Sequence, residues 1–393
     1  MQDTNGVITL MHKNRVILKF NFERRQLGYA YSFLPYAAKN SLPIGVVDED
    51  TLETWLMERV IPLSREHIDM VLESLGVSDK DYLSFLRICR GLSLNDSYWL
   101  KDSNDVVTWQ DINLYMNDFK DALMYVTFFG ESSHLGGKLV TPELTTGGIL
   151  GKCWRRVDGK VYMYKKGSSG YANAGKEVFS EAVVSRLLEV INRVYPISYC
   201  QYELLHWEGV LCTRCELFCT EDISFVPMKT LLRTRLGNIP WTYQRLIDNF
   251  NILKQGVDDM MVVDYIIENK DRHHGNYGAL YNLYIKDRFT FSPIFDNGAS
   301  LMCYKMDDEL ESAITGSEIG AFEFSNHEQA KSVLDKRHKS WLPEIKKNID
   351  FIVGDDLVQL ANKHQTLITP DRVNAIKKLI THRCDVLQYM STV

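Results

Sequence analysis

The 393 residues carry 45 Lys and Arg against 51 Asp and Glu, a formal charge of −6, with 45% hydrophobic and 24% charged residues. A chain of this length exceeds what one core fills, so two or three domain-sized units are expected, and the composition excludes a disordered or fibrous protein. The acidic balance argues against broad charge-driven binding to nucleic acid or to an anionic membrane.

Met1 is followed by the polar Gln2-Asp3-Thr4-Asn5-Gly6, without a basic leader or an apolar run, and no window reaches the roughly 18 apolar residues of a membrane span. A cytoplasmic protein without membrane partners is expected. The eight cysteines are scattered from Cys89 to Cys384 and read as core thiols. Even Cys212-x2-Cys215-x3-Cys219 sits in a strand-like run and lacks a second pair at zinc-finger spacing.

In chain order, the apolar runs Val7 to Met11 and Arg15 to Phe20 flank His12-Lys13-Asn14 and predict a hairpin. Leu63-Ser64-Arg65-Glu66 reads as an N-cap, with Ile68, Val71, Leu72 and Leu75 as a helical stripe and Gly76 as its stop. A second helix is expected from Ser78, carrying Tyr82, Phe85, Leu86 and Ile88 to Gly91. The pair resembles a helix-turn-helix, but its acidity favours two packed helices without DNA. Residues 1–125 are read as an accessory α/β domain.

From there the pattern changes. The Gly-rich turn Thr145-Thr146-Gly147-Gly148-Ile149-Leu150-Gly151-Lys152 leads into a strand, and Asp158-Gly159 turns the chain into Lys160 to Lys165. After the loop Gly167-Ser168-Ser169-Gly170, a helix bears Glu177 and Glu181, with Phe179, Val183, Leu187, Val190 and Ile191 on its apolar face. Two strands follow, Tyr199 to Leu205 and Val210 to Phe218. Residues 126–222 form a β-rich unit and 223–393 a mainly helical one, an order of β then α that suits two lobes of an α+β fold.

The second half contains a buried-looking helix, Val257 to Ile267, that stops at Glu268-Asn269-Lys270. The polar loop Asp271-Arg272-His273-His274-Gly275-Asn276 comes next. A hairpin expected over Ala279 to Ile285 and Phe289 to Phe295, turning at Lys286-Asp287-Arg288, then delivers Asp296-Asn297-Gly298. Thr369-Pro370-Asp371 opens a terminal helix.

Phosphoryl transfer asks for a carboxylate beside the attacking hydroxyl and an oxygen-ligand pair for Mg²⁺ on the nucleotide. Asp271 suits the first task, and Asn276 with Asp296 the second, in the D-x-x-x-x-N and D-x-G pattern. Lys165, with Lys166 beside it, ends a strand before a Glu-bearing helix and suits the α/β phosphates of ATP, oriented by Glu177 or Glu181, of which Glu177 is preferred. His273 is expected to brace the loop, with His274 exposed.

The run Lys270-Asp271-Arg272-His273-His274-Gly275-Asn276-Tyr277-Gly278, joined to Pro293-Ile294-Phe295-Asp296-Asn297-Gly298, resembles the HipA-like serine/threonine kinases over roughly residues 140–390. The resemblance implies a bilobal protein-kinase-like fold. It implies Asp271 as base, Asn276 and Asp296 as magnesium ligands, Lys165 as the ATP lysine, and Glu216 to Phe218 near the adenine hinge. The phosphate-covering turn would be Thr145 to Gly148, with Gly147 and Gly148, or a later Ser/Gly loop. The expected activity is ATP- and Mg²⁺-dependent transfer of the γ-phosphate to a protein hydroxyl, with self-phosphorylation in some relatives. Other readings are a lipid, small-molecule or RNA acceptor, AMP transfer, or a non-catalytic nucleotide-binding module. Some family members are toxins, which admits an antitoxin-like DNA-binding partner.

Overall fold

The computed structural model describes all residues except 1–4, 27, 38–40, 79–80, 120, 132, 283, 286–288, 317–319 and 392–393. The chain packs as two compact units. The first comprises Met1–Met163, Cys219–Val226 and Tyr281–Asp287; the second comprises Tyr164–Phe218, Pro227–Leu280 and Arg288–Val393. The division falls within the segment 126–222, inside a single strand.

The first unit is built on an antiparallel sheet of order β3-β2-β1-β4, from β1 (Asn5–His12), β2 (Arg15–Arg24), β3 (Tyr29–Ala37) and β4 (Tyr98–Asp102). The expected hairpin is β1 and β2, paired from Asn5↔Glu23 to His12↔Arg15. The sequence reading missed β3. Its alternation is diluted by Tyr and Ser, and it is held by cross-strand pairs such as Phe20↔Phe33. Ile8, Leu10, Leu18 and Phe20 point to one face and are covered by Leu52 and Leu56 of the helix Glu49–Glu58 and by Leu83 and Leu86. Helices Ile68–Leu75 and Asp121–Phe129 close a second core through Val71, Leu123 and Val126.

Two helix starts differ from expectation. The first helix begins at Ile68, after His67 in a left-handed conformation and with no side-chain cap, rather than at the Leu63-to-Glu66 stretch. The second begins at Tyr82 rather than Ser78, capped by Asp81, which accepts from the Ser84 N–H at 3.1 Å. Gly76 ends the first helix at φ 62°, as its position implied.

β5 (Lys152–Val157) and β6 (Lys160–Lys166) turn at Asp158 and Gly159, both with positive φ, the tight turn that an Asp-Gly pair favours. Glu208 and Gly209 repeat the device between β7 (Tyr202–Trp207) and β8 (Val210–Glu216). These strands are in register from Tyr202↔Cys215 to Trp207↔Val210. Cys212 and Cys215 are buried strand residues.

In the second unit the helix Glu177–Val194 buries Val183, Val184, Leu187 and Leu188. The helix Lys254–Ile267 is buried along nearly its whole length, Asp258, Asp259 and Asp264 included. Each acid has a partner, as burial of charge demands: Tyr243 for Asp258 at 2.6 Å, Arg337 for Asp259 at 2.7 Å, and Arg272 for Asp264 at 3.0 Å. The expected later hairpin is shorter than its apolar runs, with strands only at Gly278–Asn282 and Phe289–Phe291, and its proposed turn lies outside the described residues. The helix Pro370–Tyr389 is capped by Thr369. Among the described residues no helix is long and apolar enough to cross a membrane.

Asp81 is fully buried and accepts from the Tyr29 hydroxyl at 2.5 Å and the Ser84 hydroxyl at 2.7 Å. Burial alone would raise its pKa, but these bonds hold it below the ordinary carboxylate value. The stability it contributes is therefore present above the unfolded pKa of about 3.9 and lost as pH falls through the lower folded value. Asp81→Ala is expected to cost about 2–4 kcal/mol near neutral pH. In urea melts the gap to wild type should narrow in strong acid.

Candidate active site

In the second unit three of the predicted side chains, Lys165, Glu181 and Asp296, meet in one charge cluster. Lys165, near the end of β6, is 4% exposed, and its ammonium lies 3.1 Å from Glu181 Oε2 and in closer contact with Asp296 Oδ1. Burial would lower its pKa, yet Asp296 and then Glu181 hold it charged, above its usual value. Two carboxylates for one ammonium leave a negative charge in excess. Burial pushes the pKa of the wholly buried Glu181 up.

The lysine's helical partner is thus Glu181, not the preferred Glu177. The two share a helix face four residues apart, and the packing of the helix's first turn decides between them. Glu177 faces the loop after β6, where its Oε2 accepts the Ser168 N–H at 3.2 Å. Its other oxygen is buried without a hydrogen-bond partner. Glu181 instead spends its Oε1 on the Asn297 N–H at 3.1 Å, so one carboxylate orients both the lysine and the Asp296-Asn297-Gly298 turn. Gly298 packs closely here: a Cβ would come within 3.1 Å of the Glu177 carbonyl and 3.3 Å of Glu177 Cβ, tighter than most such contacts.

Asp296 has φ 54°, a left-handed conformation that Asp tolerates better than most residues. Its N–H donates to the Tyr202 hydroxyl at 3.2 Å, and its side chain remains one-third exposed. Phe295, just before it, packs its ring 5.6 Å from that of Phe218. Glu216 ends β8 and is exposed.

The 271–276 loop is folded on itself. Asn276 Nδ2 donates to the Asp271 carbonyl at 2.9 Å, which fixes the orientation of the amide and leaves its oxygen to accept. The Asp271 N–H is held by Asn269 Oδ1 at 3.0 Å while its carboxylate reaches solvent. Partial burial pushes the Asp271 pKa up, opposed by His273 and reinforced by Asp296. His273 braces the loop as expected, its Nδ1 accepting the Gly275 N–H at 3.0 Å. His274 is not exposed. It bonds the Tyr277 hydroxyl at 2.6 Å and packs against Trp241 and Phe322, so burial pulls its pKa down to about 4.

Arg272 was passed over in the sequence, where an arginine in a polar loop reads as solvated. It is 3% exposed and binds Asp264 through Nε at 3.0 Å, the Asn276 carbonyl at 2.9 Å and the Phe295 carbonyl at 2.6 Å, and also reaches Asn297. One guanidinium thereby ties the end of the Lys254–Ile267 helix to both halves of the site.

Gly147 and Gly148 belong to the first unit. There the carbonyls of Thr146, Gly147 and Gly148 converge on the Arg65 guanidinium, at 2.5 to 2.8 Å, and the Gly151 N–H is taken by Glu66 at 3.0 Å.

No protein-family model matches the chain, and neither does any curated protein sequence. Solved structures do. HipA of Shewanella oneidensis MR-1, in a toxin–antitoxin complex with HipB and operator DNA, matches with a TM-score of 0.56 at 13% identity, over 98% of this chain and 100% of that one. The proinflammatory kinase CtkA of Helicobacter pylori matches with a TM-score of 0.49 at 18% identity, over 62% of this chain and 92% of that one. At such identities the likeness is one of fold. The chain has the mixed α/β, kinase-like fold of HipA, as the loop motifs led one to expect.

Replacing Arg272 by Met strands a buried Asp264 and three acceptors, and is expected to cost about 3–5 kcal/mol. Arg272→Met combined with Asp264→Leu should recover part of that loss. Denaturant melts of the single and double variants check both expectations.

Proposed function

We propose that the chain is an ATP- and Mg²⁺-dependent serine/threonine protein kinase of HipA-like type, moving the γ-phosphate to a protein hydroxyl. The observation that carries this reading is the buried Lys165–Glu181–Asp296 cluster. A lysine is costly to bury, and here it is held charged on the rim of a carboxylate that is one-third open to solvent.

The donor set fits a hard divalent cation. Asp296 and the oriented Asn276 oxygen offer two oxygen ligands, and Mg²⁺ commonly takes only one or two protein groups, filling the rest with phosphate oxygens and water. When bound, the metal neutralises phosphate charge in the transition state. Lys165 would bind the α/β phosphates, with Glu181 holding it in line. Phe218 and Glu216, at the end of β8, would border the adenine. Asp271 would accept the proton of the attacking hydroxyl. Its exposed carboxylate and raised pKa suit a base that must both reach the acceptor and hold a proton. His273 keeps the loop in shape. The fold shared with HipA, which is bound to HipB and operator DNA in its structure, supports an antitoxin-like DNA-binding protein as a partner.

Incubation with γ-labelled ATP and Mg²⁺ tests the reading, with mass mapping to separate phosphate from AMP additions. Asp271→Asn is expected to lower label transfer about 10²–10⁴-fold, with Asp296→Asn and Lys165→Met also strongly impaired. Transfer that survives both aspartate substitutions would sink the assignment. Because the pKa of Asp271 is raised, kcat/KM should fall on the acid side with a midpoint above the ordinary aspartate value of about 3.9. That limb should be absent from the residual activity of Asp271→Asn.

A further inference from the structure

A residue's φ and ψ relate the two peptide planes on either side of it, so a residue whose neighbouring peptides are both held has its conformation set from outside. At Asp296 three bonds do the holding. The peptide ahead of it donates its N–H to the Tyr202 hydroxyl at 3.2 Å, while the carbonyl of the same peptide, that of Phe295, accepts from Arg272 at 2.6 Å. The peptide after it donates the Asn297 N–H to Glu181 at 3.1 Å. Between these planes Asp296 sits at φ 54°.

Arg272 and Glu181 serve other groups as well, Asp264 and the Asn276 carbonyl for the one and Lys165 for the other. Tyr202 does not. Its side chain is buried, 6% exposed, and among the described residues its hydroxyl makes this one hydrogen bond. A buried hydroxyl costs more than a phenylalanine ring of the same shape unless it meets a partner, and here the partner is the Asp296 main chain. Two elements place the ring. Tyr202 pairs with Cys215 across β7 and β8, and its own N–H donates at 2.9 Å to Ser185 Oγ, on the helix Glu177–Val194 that also carries Glu181. Strand pair and helix thus bear on Asp296 through one phenol.

We propose that Tyr202 is a positioning residue for the metal-binding carboxylate: by capturing the Asp296 N–H, its hydroxyl holds the left-handed turn that presents the carboxylate beside Lys165. This rests on the Mg²⁺–nucleotide reading of the site and deepens it. Without the hydroxyl the peptide ahead of Asp296 is held at its carbonyl end alone. It is then free to turn toward the right-handed conformation that an L-residue prefers, which carries the carboxylate away from Lys165. Partners in the shell around a metal ligand typically account for ten- to hundredfold in metal affinity, roughly the scale expected here.

Calorimetric titration of the full chain with ADP, and of the ADP-loaded chain with Mg²⁺, tests it in wild type, Tyr202→Phe and Asp296→Asn. Tyr202→Phe keeps the ring and is expected to bind metal-free ADP as tightly as wild type, while its affinity for Mg²⁺ falls about ten- to hundredfold. Asp296→Asn should lose the Mg²⁺-dependent gain altogether and marks the floor. Mg²⁺ bound by Tyr202→Phe as tightly as by wild type overturns the proposal. So does an equal loss of metal-free and metal-dependent binding in a variant that melts lower, the mark of a merely structural tyrosine. A wild-type chain whose ADP affinity ignores Mg²⁺ brings down the metal reading and this proposal with it, so the wild-type titration tells the two failures apart.

Discussion

The site depends on the burial of Arg272. A guanidinium removed from water loses several kcal/mol of hydration, and such a loss is tolerated only where nearly every N–H finds an acceptor. Here a carboxylate, two main-chain carbonyls and an amide oxygen meet that demand, drawn from three separate stretches of chain. The arginine can therefore be satisfied in only one arrangement of the helix end, the 271–276 loop and the segment ahead of Asp296. Positioning of the catalytic candidates follows from satisfying a group that touches no substrate.

A second constraint works at closer range. The first turn of the Glu177–Val194 helix lies directly on Gly298, so the spacing between Glu181 and the Asp296 turn is set by backbone contact rather than by flexible side chains. With Lys165 bridging the same two acids, displacement of the helix would disturb the lysine and the acidic turn together. Kinase-like sites use a helix in this place to join lysine to carboxylate, and here the coupling includes the main chain as well.

Local chemistry made much of this legible beforehand. The Asp-Gly turn, the Gly76 stop and the Thr369 cap are short-range signals, each readable within a few residues. What stayed hidden depends on partners far along the chain. Arg65 looked like part of a helix cap because its acceptors lie some 80 residues away, at Thr146 to Gly148. Arg272 gave no signal of its own because Asp264 sits inside an apolar helix and the carbonyls it binds leave no trace in composition. His274 looked exposed because the rings that enclose it, Trp241 and Phe322, come from distant segments. Glu177 and Glu181 are equivalent by periodicity and differ only once the helix is docked.

The left-handed backbone of Asp296 sets strain against charge pairing at one position. An L-residue held there carries strain of about 1 kcal/mol, from which glycine is exempt. Glycine there would release that strain but leave the buried Lys165 ammonium to Glu181 alone, a loss that outweighs it. The strained turn at 296 is therefore held in place by the ion pair it presents, and relieving the backbone alone would not make a sturdier chain.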